Sequence, residues 1–414
     1  MSHARTSVVV VGAGPAGAVT ALLLAREGID VTVLDRARFP RAKPCGDCLS
    51  AAAATLLQRL GLLEAIEALA PAHLQGWRVH GPNRSGFAAD FEGLADRDPL
   101  ARSALALPRA ALDHELLRQA RAAGACVLEG AAIDDVIVDR GIVSGVRGRR
   151  DGRGFEVRAS LTIGADGLRS RVSRRLHLAG RPPRKKKLSL TGHVQLESPL
   201  PAIGEMHVAD GLCIGAAPVN AARTLVNLTL VADADRFGAA VRSDPHGFFA
   251  HVLDRCATLD PALREARPAR LLASGPFDRP TRAVITDGAA LVGDAAGYFD
   301  PFTGQGVHQA IAGAALLAAV ARDALRADCP VMRPALEPYA AAHRRLVRGP
   351  RRVQRLVDVV LAHPVSAERV LRRLARRPAA ALALLAVTGD VLPARALLSP
   401  SLLLSFLLPL PRAS

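Results

Sequence analysis

Aromatic residues are few: one tryptophan, two tyrosines and eleven phenylalanines among 414 residues. Lysine is rarer than the charge suggests, since Lys43 is the only one outside the cluster Arg184-Lys185-Lys186-Lys187 and arginine carries nearly all the remaining positive charge. The formal net charge of +16 by itself invites a nucleic-acid partner. Single-strand binding, however, stacks bases on aromatic side chains along a basic groove. The larger basic stretch, eleven arginines between His343 and Arg377 against Asp358 and Glu368, is almost free of aromatics. No nucleic-acid partner is expected.

Cysteine is sparse too. Cys45, Cys48, Cys126, Cys213, Cys256 and Cys329 are scattered through the chain, which excludes the dense disulfide framework of a small secreted domain. They read as reduced thiols of a cytoplasmic protein. Only seven residues precede the apolar run Val8–Val11, so no export signal is expected. Nor is there an evident membrane span: Ala310–Ala321 is almost purely apolar but at about 12 residues falls short of the roughly 20 required. Half the residues are hydrophobic and 22% are charged, a globular balance, and the length allows two or three folding units.

Residues 7–35 read as strand, tight turn, helix and strand: β-branched Ser7–Val11, helix-forming Ala16–Arg26 ended by Gly28, then Ile29–Leu34. A second helix is expected within Leu105–Gly124, then strands at Cys126–Leu128, Ile133–Val138 and Val157–Ile163, with hairpin turns at Gly141–Gly154. Residues 188–275 alternate apolar and polar, as in Thr224–Val231, and read as an antiparallel sheet. The expected fold is α/β, with a discontinuous Rossmann-type domain over 1–75, 104–187 and 276–330. An antiparallel-sheet domain (76–103 and 188–275) is threaded between its pieces, and a helical, arginine-rich region follows over 331–414.

Three separated motifs carry chemistry. Gly12-Ala13-Gly14-Pro15-Ala16-Gly17 lies between a strand and a helix. Gly12 permits a tight turn, Gly14 lets backbone approach a pyrophosphate, and Gly17 lets helix and strand pack closely, while the helix N-terminus supplies N–H groups to the phosphates. Asp35, followed by Arg36, ends the second strand where a carboxylate accepts hydrogen bonds from a ribose diol. The second motif is Gly164-Ala165-Asp166-Gly167. The third is Val292-Gly293-Asp294-Ala295-Ala296-Gly297, followed by Asp300-Pro301-Phe302-Thr303-Gly304-Gln305-Gly306. Asp294 suits the ribityl hydroxyls of a flavin. The Gly304–Gly306 turn aims N–H groups and a helix dipole where a reduced flavin gathers negative charge.

With these motifs in this order, residues 7–325 resemble flavoproteins of the p-hydroxybenzoate-hydroxylase fold, which implies FAD as cofactor. The resemblance places Asp166 near the cofactor's pyrophosphate, links it to FAD and NAD(P)H use, and gives Arg109 a contact to FAD. Phe39-Pro40-Arg41-Ala42-Lys43-Pro44-Cys45-Gly46-Asp47 and the Asp300–Gly306 stretch resemble the geranylgeranyl-reductase-like branch, which also contains hydroxylases of lipidic phenols and polyketides. There the Lys43–Gly46 stretch would approach the flavin ring. Cys48 stands where the branch commonly has glycine, and Gly211–Val219 lacks the aromatic-rich strand of the prenyl reductases.

Cys45 and Cys48 form a CxxC. No second ligand pair exists for zinc, so no metal is expected, and the pair reads as a turn beside the flavin. Tyr298, His308 and Cys45 are the candidates for proton transfer or substrate contact. Trp77 lacks the paired tryptophans of flavin halogenases, and halogenation is not expected. The arginines of 344–377 and the apolar Ser399–Pro411 suit contact with the inner membrane face, the alternative being a solvated helical cap. The expected activity is hydroxylation of a hydrophobic aromatic with O2, NAD(P)H serving as transient reductant. Saturation of isoprenoid double bonds and an electron-transfer role are the alternatives.

Overall fold

The computed structural model describes residues 2–398, apart from 82, 84, 95, 97, 182–185, 210, 303 and 328–329. The expectations for Cys329, Thr303, Arg184, Lys185 and the tail Ser399–Pro411 lie outside the described residues. The five described cysteines are free thiols.

Four neighbouring parallel pairings build the first sheet. Ser2–Val11 lies between Arg153–Gly164 and Val31–Asp35, with Ala289–Leu291 and Cys126–Glu129 outside them. Its central strands are apolar on both faces because neither face is open to solvent; Val8, Val9 and Val10 are wholly buried. Helix Pro15–Arg26 packs on one face beside Gly306–Ala327 and Arg109–Ala122. The helix expected around Ala310–Ala321 is longer than its apolar centre, running 22 residues from Gly306 to Ala327. No described helix is long and apolar enough to cross a membrane.

Two expectations need correction. Gly141–Gly154 is a full strand, Ile142–Arg150, paired antiparallel with both Ala131–Asp139 and Arg153–Gly164, with turns only at its ends. Residues 188–275 are not sheet throughout, because 234–265 forms three helices, Ala234–Ser243, Pro245–Asp254 and Pro261–Glu265. Each begins behind an aspartate (Asp233, Asp244, Asp260) whose carboxylate accepts from N–H groups of the first turn. They cover one face of the second sheet through Phe249, Val252, Leu253 and Leu263.

That second sheet has seven strands. Leu272–Ser274, Lys187–Gln195, Leu225–Asp233, Leu212–Pro218 and Ile203–Ala209 pair antiparallel in that order. Gly76–His80 then joins Ile203–Ala209 in parallel and carries Gly86–Asp90 as the outer strand. Both inserted stretches of sequence therefore meet in one sheet.

Helices Arg333–Leu361, Pro364–Ala375 and Pro378–Thr388 close the molecule, the last two each opening on a proline at the first turn. The first is anchored by Tyr339, whose hydroxyl donates to the Leu291 carbonyl at 2.6 Å. One turn on, His343 is buried beside the Tyr339 ring. Burial, with Arg351 and Arg344 adding to it, lowers its pKa to about 4. A histidine with a depressed folded pKa contributes stability above its unfolded value of 6.5, and that contribution is lost as pH falls through 4. The loss amounts to about 3 kcal/mol. Unfolding free energies from urea titrations at pH 7 and pH 4 are expected to differ by about 3 kcal/mol less in His343→Gln than in the wild type.

Candidate functional site

The row Val11, Gly164, Leu291 is in register across three adjacent parallel strands. All three sequence motifs therefore emerge at one edge of the sheet, beyond the carboxyl ends of the strands, where α/β sheets bind ligands.

Gly12 has φ +103, and a Cβ there would lie 2.4 Å from the Ala165 carbonyl oxygen. At Gly17 a Cβ would fall 1.8 Å from the Gly12 oxygen, so the helix rests directly on the turn. Gly293 closes the arrangement, since its Cβ would sit 2.7 Å from that of Ala16. Gly14 is different: the nearest atom to its Cβ position is an Arg41 guanidinium nitrogen at 3.6 Å. Packing does not require that glycine, and Gly14, Pro15 and Ala16 line an open cavity.

Asp35 pins this turn, accepting from the Ala13 and Ala37 N–H groups at 2.8 Å each. Arg36 is exposed. Asp166 accepts from the N–H groups of Arg171 (2.6 Å) and Val172 (3.2 Å) through Oδ2. Its Oδ1 is buried without a protein partner, and burial raises the carboxyl pKa. An orphaned acceptor beside the Gly12 turn is what a nucleotide hydroxyl would satisfy.

At the other end of the cavity Asp294 faces Lys43 Nζ at 3.7 Å. Gly304, at φ +68, has open space where a side chain would stand, and Gly306 opens the long helix against the Tyr298 ring. Pro301 and Gly46 line the same space. Cys45 and Tyr298 also line it; burial pushes up the thiol, against the opposing charge of Arg109, and the phenol. Cys48 donates to the Gly46 carbonyl at 3.2 Å, and burial raises its pKa as well. Raised thiols beside a turn are not the low-pKa pair of a redox dithiol. Arg109 lines the cavity, with two guanidinium nitrogens held by the Asp113 carboxylate at 2.7 and 2.8 Å.

The structure turns two candidates elsewhere. Val307 and Ala310 present the cavity-lining face of the long helix, and His308 is one residue, 100°, round from it. Its Nδ1 lies 2.9 Å from Asp390 Oδ2. The Gln305 side chain, 2% exposed, donates to Asp390 Oδ1 at 2.5 Å and to the Val387 carbonyl at 3.2 Å. Both side chains fasten the Gly304–Gly306 turn to the closing helices and do not line the cavity.

Sequence reasoning missed the group that joins the two sheets. Asp47, 1% exposed and at φ 59, accepts from the Arg109 backbone N–H at 3.1 Å. Its Oδ2 meets His193 Nε2 at 2.5 Å and the Asn227 amide at 2.7 Å. Asn227 also donates to the Cys45 carbonyl (2.8 Å) and accepts from Thr229, which bonds Thr191. The only sequence signal was the polar alternation of Asn227 and Thr229, which does not say which face looks at the loop.

The cavity, about 620 Å³, continues from these groups into an apolar space between the second sheet (Trp77, Phe87, Met206) and the closing helices (Leu371, Leu374, Leu385). The glycine turns, the orphaned Asp166 oxygen and the open helix end fit a flavin dinucleotide.

A family model described as an FAD binding domain matches residues 5–328. Menaquinone reductase of Mycolicibacterium smegmatis is 31% identical over 329 residues, 74% of this chain and 73% of that protein. The 6-methylpretetramide 4-monooxygenase of Streptomyces rimosus is 30% identical over 325 residues, 74% and 73% of the two chains. Among solved structures, a geranylgeranyl bacteriochlorophyll reductase-like protein of Thermoplasma acidophilum superposes with a TM-score of 0.76 at 20% identity, over 90% of this chain and 92% of that one, a likeness of fold. Flavin-dependent halogenases share the fold too, so the fold alone does not separate halogenation from hydroxylation. The chain belongs to the FAD binding domain family and is an FAD-dependent oxidoreductase.

Proposed function

We propose that the protein is a monooxygenase that hydroxylates a hydrophobic aromatic, a long-tailed phenol or polyketide, taking electrons from transiently bound NAD(P)H. In the balanced reaction one oxygen atom of O2 enters the ring and the other leaves as water, while NAD(P)H and a proton are consumed. FAD, when bound, supplies the electron transfer and the oxygen chemistry. The protein's residues hold the cofactor, orient the ring and exclude water.

The observation that carries this reading is the cavity's division. Beside the Cys45 loop its lining bears Thr191, Asn227 and Thr229, and Tyr298 also faces the cavity; toward the closing helices the lining is mostly apolar. A few polar groups at one end of an apolar space suit a substrate with one hydroxylated end. Gly12, Gly14, Gly17, Asp166 and Gly293 would hold the pyrophosphate side, and Lys43, Asp294, Pro301, Gly304 and Gly306 the ring side.

A second reading, saturation of isoprenoid double bonds, is favoured by the length of the apolar part, which reaches Leu397 and Leu398. Leu356 and Leu398, which line it, are more than half exposed, as are Val359 and Val365 on the closing helices, in the stretch that carries the arginines of 344–377. Exposed apolar side chains on an arginine-rich stretch of chain support contact with an anionic leaflet, from which a lipidic substrate would enter.

The test is oxygen uptake and NAD(P)H oxidation by the yellow protein, with alkylphenols presented in anionic or zwitterionic vesicles. Substrate-stimulated oxygen uptake, faster from anionic vesicles, is the expected result. Leu371→Trp should raise KM for the longest-tailed phenol about tenfold and spare a short one. Saturated product without oxygen use would replace this reading with the reductase, and absence of any stimulated turnover would leave an electron carrier.

A further inference from the structure

On the face of the second sheet away from the cavity, three side chains converge that the reaction does not use. Glu205 and His207 stand two residues apart on Ile203–Ala209 and so share a face. His80 is the direct cross-strand partner of His207 in the parallel pairing with Gly76–His80. The two imidazoles stack with centroids 4.8 Å apart and planes 7° apart. Glu205 Oε2 lies 3.5 Å from His207 Nε2, and Oε1 lies 3.9 Å from His80 Nε2. Both Nε2 atoms are buried and make no hydrogen bond, although His207 is only 3% exposed. The opposite edge of the His207 ring is held, Nδ1 lying 2.8 Å from Thr258 Oγ1.

We propose that His80, Glu205 and His207 bind a divalent transition-metal ion of the zinc class. In the tautomer whose Nδ1–H donates to Thr258, Nε2 turns its lone pair toward the other two ligands, the arrangement by which a second partner orients a metal-ligating histidine. Two imidazoles and a carboxylate are a usual zinc donor set, with a fourth position for water. One ligand atom from each residue lies within 4.8 Å of the others. A tetrahedral ion with bonds of about 2 Å holds its ligands roughly 3.4 Å apart, so side-chain rotation of little more than an ångström closes the set. Arg78, 3.8 Å from Glu205 Oε1 and 43% exposed, has room to swing away. The ion would tie the first inserted stretch to the second at the one parallel pairing of this sheet. The site escaped sequence reading because its ligands come from strands far apart in the chain and form no CxxC-like spacing.

Tag-free FAD-loaded protein, stripped with a chelator, is titrated with zinc chloride by calorimetry and with cobalt(II) by difference absorption spectroscopy. One zinc per chain, a zinc-dependent rise in Tm and the visible bands of four-coordinate cobalt are expected. His80→Ala and Glu205→Gln, both at partly exposed positions, should each weaken zinc binding at least tenfold while retaining the wild-type FAD content, which reports folding. Zinc binding that is absent from the wild type, unchanged in both variants, or lost only in Cys48→Ser overturns the proposal.

Discussion

Gly14→Val is expected to purify as a folded protein without its yellow colour, with FAD affinity lowered about 100-fold or more, near 3 kcal/mol. The backbone at Gly14 (φ −71, ψ −176) is one that any residue adopts, and the nearest atom to a new Cβ, an Arg41 guanidinium nitrogen at 3.6 Å, is at ordinary contact distance. Valine at this helix N-cap should cost the apoprotein about 1 kcal/mol or less. The isopropyl group projects into the cavity at the point where the backbone must approach the pyrophosphate. Gly17→Ala is the contrasting case. Its methyl group would lie 1.8 Å from the Gly12 oxygen, a clash between backbone segments with or without cofactor, so insolubility is expected. Flavin content per folded chain, read by absorbance after denaturation, separates the two. A Gly14→Val protein carrying wild-type flavin would mean that the pyrophosphate lies elsewhere.

Asp47→Ala should destabilise the FAD-loaded protein by about 3 kcal/mol or more. The substitution leaves the nearly solvent-free Arg109 N–H without its acceptor, takes one of two acceptors from the buried Asn227 amide, and removes the partner of the partly exposed His193. It also puts alanine at φ 59, a left-handed conformation costing roughly 1 kcal/mol. Asp47→Asn should lose less, about 1–2 kcal/mol. Asparagine accepts the left-handed backbone, but one amide oxygen must now serve donors on both sides of the former carboxylate. Urea unfolding measures both, and the reaction rate of Cys45 with a thiol reagent should rise in the alanine variant as the loop loosens. An Asp47→Ala protein within about 0.5 kcal/mol of the wild type would remove the joint between the sheets from this account.

What could be read beforehand was what backbone geometry enforces locally. Gly12, Gly17 and Gly293 are glycines because a Cβ would strike neighbouring main chain or the Ala16 side chain. Such collisions leave a pattern in any sequence that makes the turn. Asp166 and Asp294 were singled out because they sit in those turns. The helices over 234–265 were missed although Asp233, Asp244 and Asp260 announce their starts, because the alternation of the flanking strands was extended across them.

His308 and Gln305 show a different limit. Their place in the chain, in or beside the Gly304–Gly306 turn, was legible; their direction was not, because a helix turns its side chains by 100° per residue. The partner that claims both, Asp390, comes from the end of the closing helices.

The amino-acid order alone determined the glycine turns, the strand-helix-strand unit they sit in and the class of cofactor, since each rests on constraints within a few residues. Tertiary structure decided the joint at Asp47, the division of the cavity into a polar part and a mostly apolar one, and the His80–Glu205–His207 cluster. Each of these joins side chains from strands, loops or helices distant in sequence, and pairing register and helix phase, which come only with packing, set the atoms that meet.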